Sequence, residues 1–385
     1  MFFGKPLLFG LVVATALILR TSVVVIGPLA EPLRAALAID YAVYGCVSAL
    51  PLLLFGLLSP LTERFLRFIS VRTLYGLSLL LICAGAFVRA EPVVLWFIAG
   101  TVLSSLGVAN LNVLLPAVIK TGFPSDWPRM MSGYAALIGL SSTVGAATAV
   151  PIAHWRGDYA DAIRFWGLAV LPALLLLFGT AKGFGERKPR EDVRPFGSTP
   201  RLSWALVATL TAVTGLQAML NGTVSLWMPS ALTAKGLTPD EAAELVTLFL
   251  LFSIVGAFVT PRVAALFPHF SRRAPGYALP YGATLLAVFV CDDFWMLTPF
   301  AALAGLFQGF LMAETFALPA RKTNGFAQLV ALTGRTQCGG FLLAGLGPTA
   351  VGAVVSLFSI KTVPWTLVAM VILWAVFARQ AETVR

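Results

Sequence analysis

Residues 171–179 read "LPALLLLFG". A strand of a membrane barrel alternates lipid-facing and lumen-facing side chains over about 10 residues, and this stretch does not alternate. On either side it extends into a nearly uncharged run from about 162 to 181. One helix needs about 20 such residues to cross the hydrocarbon core, and in lipid a helix satisfies its own backbone polar groups. The stretch therefore predicts a transmembrane helix.

Runs of the same kind recur along the whole chain, at about 6–28, 42–62, 73–89, 93–118 and 130–153 before it, and at about 202–229, 243–261, 276–291, 294–318, 326–353 and 362–379 after it. That makes twelve spans in 385 residues, about 32 residues for each, so about a dozen remain for each connection. There is no room for an extra soluble domain. Composition agrees, since 58% of residues are hydrophobic and 11% charged, against about 25% charged in a soluble domain. The first run follows Lys5 as a secretory signal would, but its apolar core continues past Arg20 to Ile26 with no small-x-small cleavage site. It is expected to remain as the first span.

The formal charge of +10 raises the question of nucleic acid or an acidic surface, and the positions of the charges answer it. With the N-terminus in the cytoplasm, only Arg34, Arg89, Arg156, Arg164, Lys235 and Lys361 fall outside, and Arg20 and Arg335 fall within spans. The other basic residues fall inside, which is the bias that orients multi-spanning proteins. Both termini are thus expected in the cytoplasm of a bacterial inner membrane, with no nucleic-acid partner. The segment "KGFGERKPREDVRPFGSTPR", 182–201, has the charge and proline of a solvated linker. The expected organisation is an N-terminal six-helix bundle at 1–182, a cytoplasmic linker at 183–200 and a C-terminal six-helix bundle at 201–385.

Two halves of six spans suggest duplication. The fourth span ends "LNVLLPAVIKTGF" and the tenth "AETFALPARKTNGF", with Pro116 matching Pro319 and Lys120 near Lys322. The link "SPLTERFLRF" between spans two and three resembles the loop motif Gly-x-Leu-Ala-Asp-Arg-x-Gly-Arg-Arg of the major facilitator superfamily. Glu63, Arg64 and Arg67 match it in kind, while Ser59 and Leu66 stand where glycines are usual. The resemblance implies that these charges form a cytoplasmic gating clamp; a plain basic loop is the other reading.

Further strings resemble the cyanate permease (CynX/NimT) family within that superfamily: "LRTSVVVIGPLAEPLR", "ALPLLLFGLLSPL" and "LGVANLNVLLPAVIKTGFP" in the first half, then "WMPSALTAKGL" and "QCGGFLLAGLGPTAVG" in the second. The family's usual Arg-Pro of the first string is Arg20-Thr21 here, and Arg335 replaces a small or apolar residue. The resemblance implies an all-α membrane protein of twelve helices in two pseudo-symmetric bundles. Its implied activity is secondary transport of a small polar, anionic, cyanate-like solute by alternating access, with or without proton coupling. Efflux of drug-like or nitro-heterocyclic compounds is the alternative.

Within the spans the charged residues mark candidate sites. Arg20 lies about 12 Å from the outer end of span one, and its planar fork suits carboxylate-like or resonance-stabilised anions. Arg335 lies about 13 Å into span eleven. If both reach one cavity, a bound anion would draw the halves together. Glu314 in span ten is open to two readings: an ion pair with Arg335 or Lys322, or a proton-coupling site, since desolvation raises a carboxyl pKa in general.

The amides Asn110, Asn112, Gln217, Asn221, Gln308 and Gln337 complete the candidate substrate set, with interhelical hydrogen bonding as the competing role. Arg335 and Gln337 are two apart and point in nearly opposite directions. Glycines at 133, 139 and 145 in span five and at 334–352 in span eleven predict close helix approach.

The four cysteines show no paired spacing, so neither metal site nor disulfide is expected. No Walker loop is present in the sequence, which argues against ATP-driven pumping. No catalytic constellation, and so no enzyme, is expected, and no cofactor. The expected partners are a small-molecule substrate, protons and membrane lipid, on a monomeric chain.

Overall fold

The structure is a computed structural model that describes residues 4–39, 41–180, 202–268, 270–291, 293–358 and 360–384. The expected linker at 183–200 lies outside the described residues. Helices account for the regular structure, with no strand among the described residues. In chain order they are α1 (Gly4–Ile18), α2 (Thr21–Val24), α3 (Ala30–Leu37), α4 (Tyr41–Leu58), α5 (Leu61–Phe65), α6 (Val71–Arg89), α7 (Val94–Gly122) and α8 (Trp127–Arg156). Then follow α9 (Tyr159–Leu168), α10 (Leu171–Gly179), α11 (Trp204–Thr233), α12 (Pro239–Leu266), α13 (Phe270–Val290), α14 (Phe294–Arg321), α15 (Phe326–Leu357) and α16 (Val363–Thr383).

By length and hydropathy, nine helical segments among the described residues qualify as membrane spans. The three other expected spans coincide with α4, α13 and α15. The chain is an all-α, multi-pass membrane protein.

Two compact units divide the helices. One gathers α1 to α7, the part of α8 from Leu140, α9, α10 and residues 323–334; the other gathers residues 128–139, α11 to α14, and the chain from Arg335 through α16. In the first unit α7 packs on both α4 and α6, and in the second α14 packs on α12 and α13. Pro116 and Pro319, the matched pair of the sequence repeat, both lie inside helices, in α7 and α14.

Span one is not continuous. It breaks at Leu19 and Arg20, between α1 and α2, even though no proline stands there. The reason lies 121 residues away. The hydroxyl of Ser141 on α8 accepts the backbone N–H groups of both Arg20 (3.1 Å) and Thr21 (3.2 Å). The Thr21 hydroxyl donates back to the Ile18 carbonyl at 3.1 Å. Backbone groups released at membrane depth need such partners. Gly145 lets α8 approach: a β-carbon there would fall 2.9 Å from the Thr21 Cα. Span six is also divided, at Ala169 and Val170, because Pro172 in the first turn of α10 cannot donate to a helix continuing from α9.

The tightest approaches fall on helices other than the glycine-rich spans five and eleven. A β-carbon at Gly305 of α14 would overlap the Phe249 carbonyl of α12, and one at Gly256 would overlap the Leu306 carbonyl. Overpacking of a tight contact destabilises by about 1–3 kcal/mol. Gly305→Ala is accordingly expected to lower the melting temperature in detergent. An unchanged melting temperature would contradict the backbone contact between α12 and α14.

One of the charges sorted to the outer side is buried. Arg89, counted among the outer-loop residues, ends α6 and is 1% exposed. Helix α6 ends at Arg89, where the expected span 73–89 ends, and Gly100 brings α7 directly against the Arg89 backbone.

Candidate functional site

In the first unit the break in span one organises the site. Arg20 caps α2 and is partly buried. Its guanidinium carbon stands 5.7 Å from the centre of the Phe55 ring of α4, and Phe55 is fully buried. The ring steadies the cation through its π face.

Asn110 and Asn112 of α7 are both buried. The Asn110 carbonyl oxygen accepts a hydrogen bond from the Thr62 hydroxyl of α5 at 2.8 Å, while its amide nitrogen has no partner. Half of this candidate's bonding capacity thus ties the short loop helix to α7. On α5 itself Glu63 is partly buried and Arg64 exposed, and Arg67 is exposed in the turn that follows.

In the second unit Gln217 and Gln337 are buried and Asn221 is half-buried. Gln308 of α14 is 0% exposed, and among the described residues neither its amide nitrogen nor its carbonyl oxygen has a hydrogen-bond partner. Arg335 is exposed while Gln337 is buried, so the α15 helix turns the two to different surroundings.

Glu314 is 0% exposed and does pair, but with arginines other than the residues expected. Its Oε1 accepts from Arg273 Nε at 3.0 Å, and Arg273 Nη2 lies 3.0 Å from the same oxygen. Its Oε2 accepts from Arg321 Nη1 at 2.5 Å. Lys322 turns instead to the end of α16, donating to the carbonyls of Glu382 and Val384, each at 2.9 Å. Arg273 also donates to the Phe267 carbonyl. The triad therefore ties α13, α14 and the end of α12 together.

Arg273 and Arg321 had been read as loop charges. The seven-residue step from Glu314 to Arg321 is two helical turns on one face and was visible in the sequence. Arg273 was hidden because the span-nine reading began at 276, whereas α13 begins at Phe270. No cluster of metal-ligating side chains is found among the described residues.

The Major Facilitator Superfamily profile matches residues 12–291. The chain belongs to the major facilitator superfamily. Relatives bear out the narrower resemblance as well. The chain is 28% identical over 351 residues to the 2-nitroimidazole transporter of Escherichia coli, covering 89% of this chain and 86% of that protein. It is 24% identical over 355 residues to the cyanate transport protein CynX of Escherichia coli, covering 90% and 89%. The fold of this superfamily member is similar to that of a bacterial homologue of the iron transporter ferroportin, with a TM-score of 0.78 at 13% identity over 98% of this chain and 99% of the other.

Proposed function

We propose that the chain is a secondary transporter that carries a small anion of cyanate-like chemistry across the bacterial cytoplasmic membrane by alternating access. The observation that carries this reading is the break in span one with Arg20 at it. Irregular backbone at membrane depth is tolerated where it is buried in protein or lines a cavity, and substrate sites of secondary transporters are commonly built on discontinuous helices. A guanidinium placed there offers a permanent positive charge and several N–H donors to a small anion.

Within the second unit, taken by itself, the amide of Gln308, unpartnered among the described residues, is a separate candidate contact. A buried amide with no hydrogen bond costs about 1–3 kcal/mol in proteins, so a structural role leaves it unexplained and a substrate-facing role explains it. Asn110 keeps a free donor on the same logic. Glu314 we read as the fixed centre of an ion-pair network rather than the proton carrier, because both of its oxygens already serve arginines.

The second reading is transport of nitro-heterocycles. The relationship to the 2-nitroimidazole transporter and the aromatic face of Phe55 beneath Arg20 favour it. A nitro group, like a carboxylate, presents two oxygens in a plane.

Gln308→Leu tests the reading. Replacing an unpartnered buried amide by an apolar side chain of similar size relieves a penalty of about 1–3 kcal/mol. The variant is expected to melt higher than the wild type while uptake of labelled cyanate into proteoliposomes falls. A variant that is less stable, or that transports as the wild type does, would contradict a substrate-facing Gln308. Labelled 2-nitroimidazole in the same vesicles separates the readings: its uptake where cyanate is not taken up favours the second.

A further inference from the structure

Arg89 is not among the candidate substrate residues. It lies at the end of α6, 1% exposed, beside Ala86 and Ala90 of an apolar cluster that includes Val25, Leu33 and Phe97. A guanidinium carries five N–H donors. Here Nη2 donates to the Ser22 carbonyl at 2.5 Å, Nε has no acceptor, and no carboxylate pairs with the group among the described residues. Burial of a cation without a counter-ion carries a penalty of several kcal/mol, so a merely tolerated arginine is a poor account of it.

What Arg89 holds is specific. Ser22 belongs to α2, two residues beyond Arg20, and is itself buried. Within α2 the Thr21 and Val24 carbonyls accept from the backbone N–H groups of Val25 and Gly27, while the Ser22 carbonyl takes the Arg89 guanidinium, a charged donor that binds it more strongly than a neutral one would. On another side, Ser141 takes the N–H groups that open α2, and α8 packs against Thr21 at Gly145. The short helix is thus gripped at its start by α8 and at its middle by α6.

We propose that Arg89 is a positioning residue for the substrate anion: through the Ser22 carbonyl it fixes α2, and so sets the direction in which Arg20 is presented. The proposal rests on the anion reading of Arg20. Arg89 acts through α2 and does not touch the substrate.

Two measurements on the full-length protein, in detergent and in proteoliposomes, test it together. In Arg89→Met, hydrogen exchange followed by mass spectrometry should quicken at residues 21–24 while α11 to α14 stay as in the wild type. The KM for labelled cyanate should rise roughly tenfold, equivalent to about 1.4 kcal/mol, with kcat within about twofold. Arg89→Lys, which keeps a charged donor, should restore most of both.

Unchanged exchange at residues 21–24, or an unchanged KM, would overturn the proposal. So would a loss of kcat that Arg89→Lys does not mend. If Arg89→Met fails to fold, Arg89→Gln keeps an uncharged N–H donor and carries the same comparison. If wild-type vesicles take up no cyanate, the proposed substrate falls, and the exchange data alone decide whether Arg89 holds α2.

Discussion

Glu314→Gln is expected to destabilise the protein by about 3–5 kcal/mol, because removing the shared partner leaves two guanidiniums around an uncompensated site. Arg273 is 6% exposed and Glu314 0%, so the penalty falls mainly on Arg273, while Arg321, 27% exposed, keeps access to water. The variant keeps the size and one acceptor of the side chain and loses the charge, which isolates electrostatics from packing. In detergent the melting temperature should fall by on the order of ten degrees. The companion variant Glu314→Leu/Arg273→Met should recover part of the loss, since buried ion pairs can often be exchanged for apolar groups of similar volume.

The proton-carrier reading of Glu314 makes a different forecast. On that reading the Gln variant folds normally, retains exchange of cyanate across the membrane and loses only accumulation driven by a pH gradient. That outcome would displace the structural role assigned above.

Arg20→Ala is expected to have the largest effect on transport. Truncating one partner of a buried, charge-assisted contact weakens binding by about 2–5 kcal/mol, which is a loss of well over tenfold. The variant should still fold, because the hydrogen bonds at the break made by Ser141, Thr21 and Arg89 remain. Arg20→Lys should retain weak uptake, keeping the charge while losing the planar fork. Uptake in Arg20→Ala equal to the wild type would remove the anion reading altogether.

The fold was legible because lipid imposes one demand on every segment: about 20 apolar residues and a self-satisfied backbone. The candidate site residues were legible where the same demand is violated. Arg20 stands out as a charge in a span, and it does mark the break between α1 and α2. Glu314 stands out in the same way, and it is the hub of a buried network.

The partners of those residues were not legible, and for a physical reason. Ser141 lies 121 residues from Arg20 and is one of many serines in apolar runs; only packing brings it to the break. Arg273 lies near the start of α13, where hydropathy reads a charge as part of a loop and a shift of about one turn moves it from water into the protein. Gln308 carried its polarity in the sequence, but its lack of partners is a property of the packed helices.

Recognition of a small anion by Arg20 is the centre of this account, and direct binding tests it without the complications of vesicle assays. Purified wild type and Arg20→Ala would be melted in detergent across a cyanate titration, with chloride as the ionic-strength control. The account predicts that cyanate raises the melting temperature of the wild type in a saturable way, as a ligand of the folded state must, and leaves Arg20→Ala unmoved. Equal stabilisation of both proteins by cyanate, or none of the wild type, would contradict it.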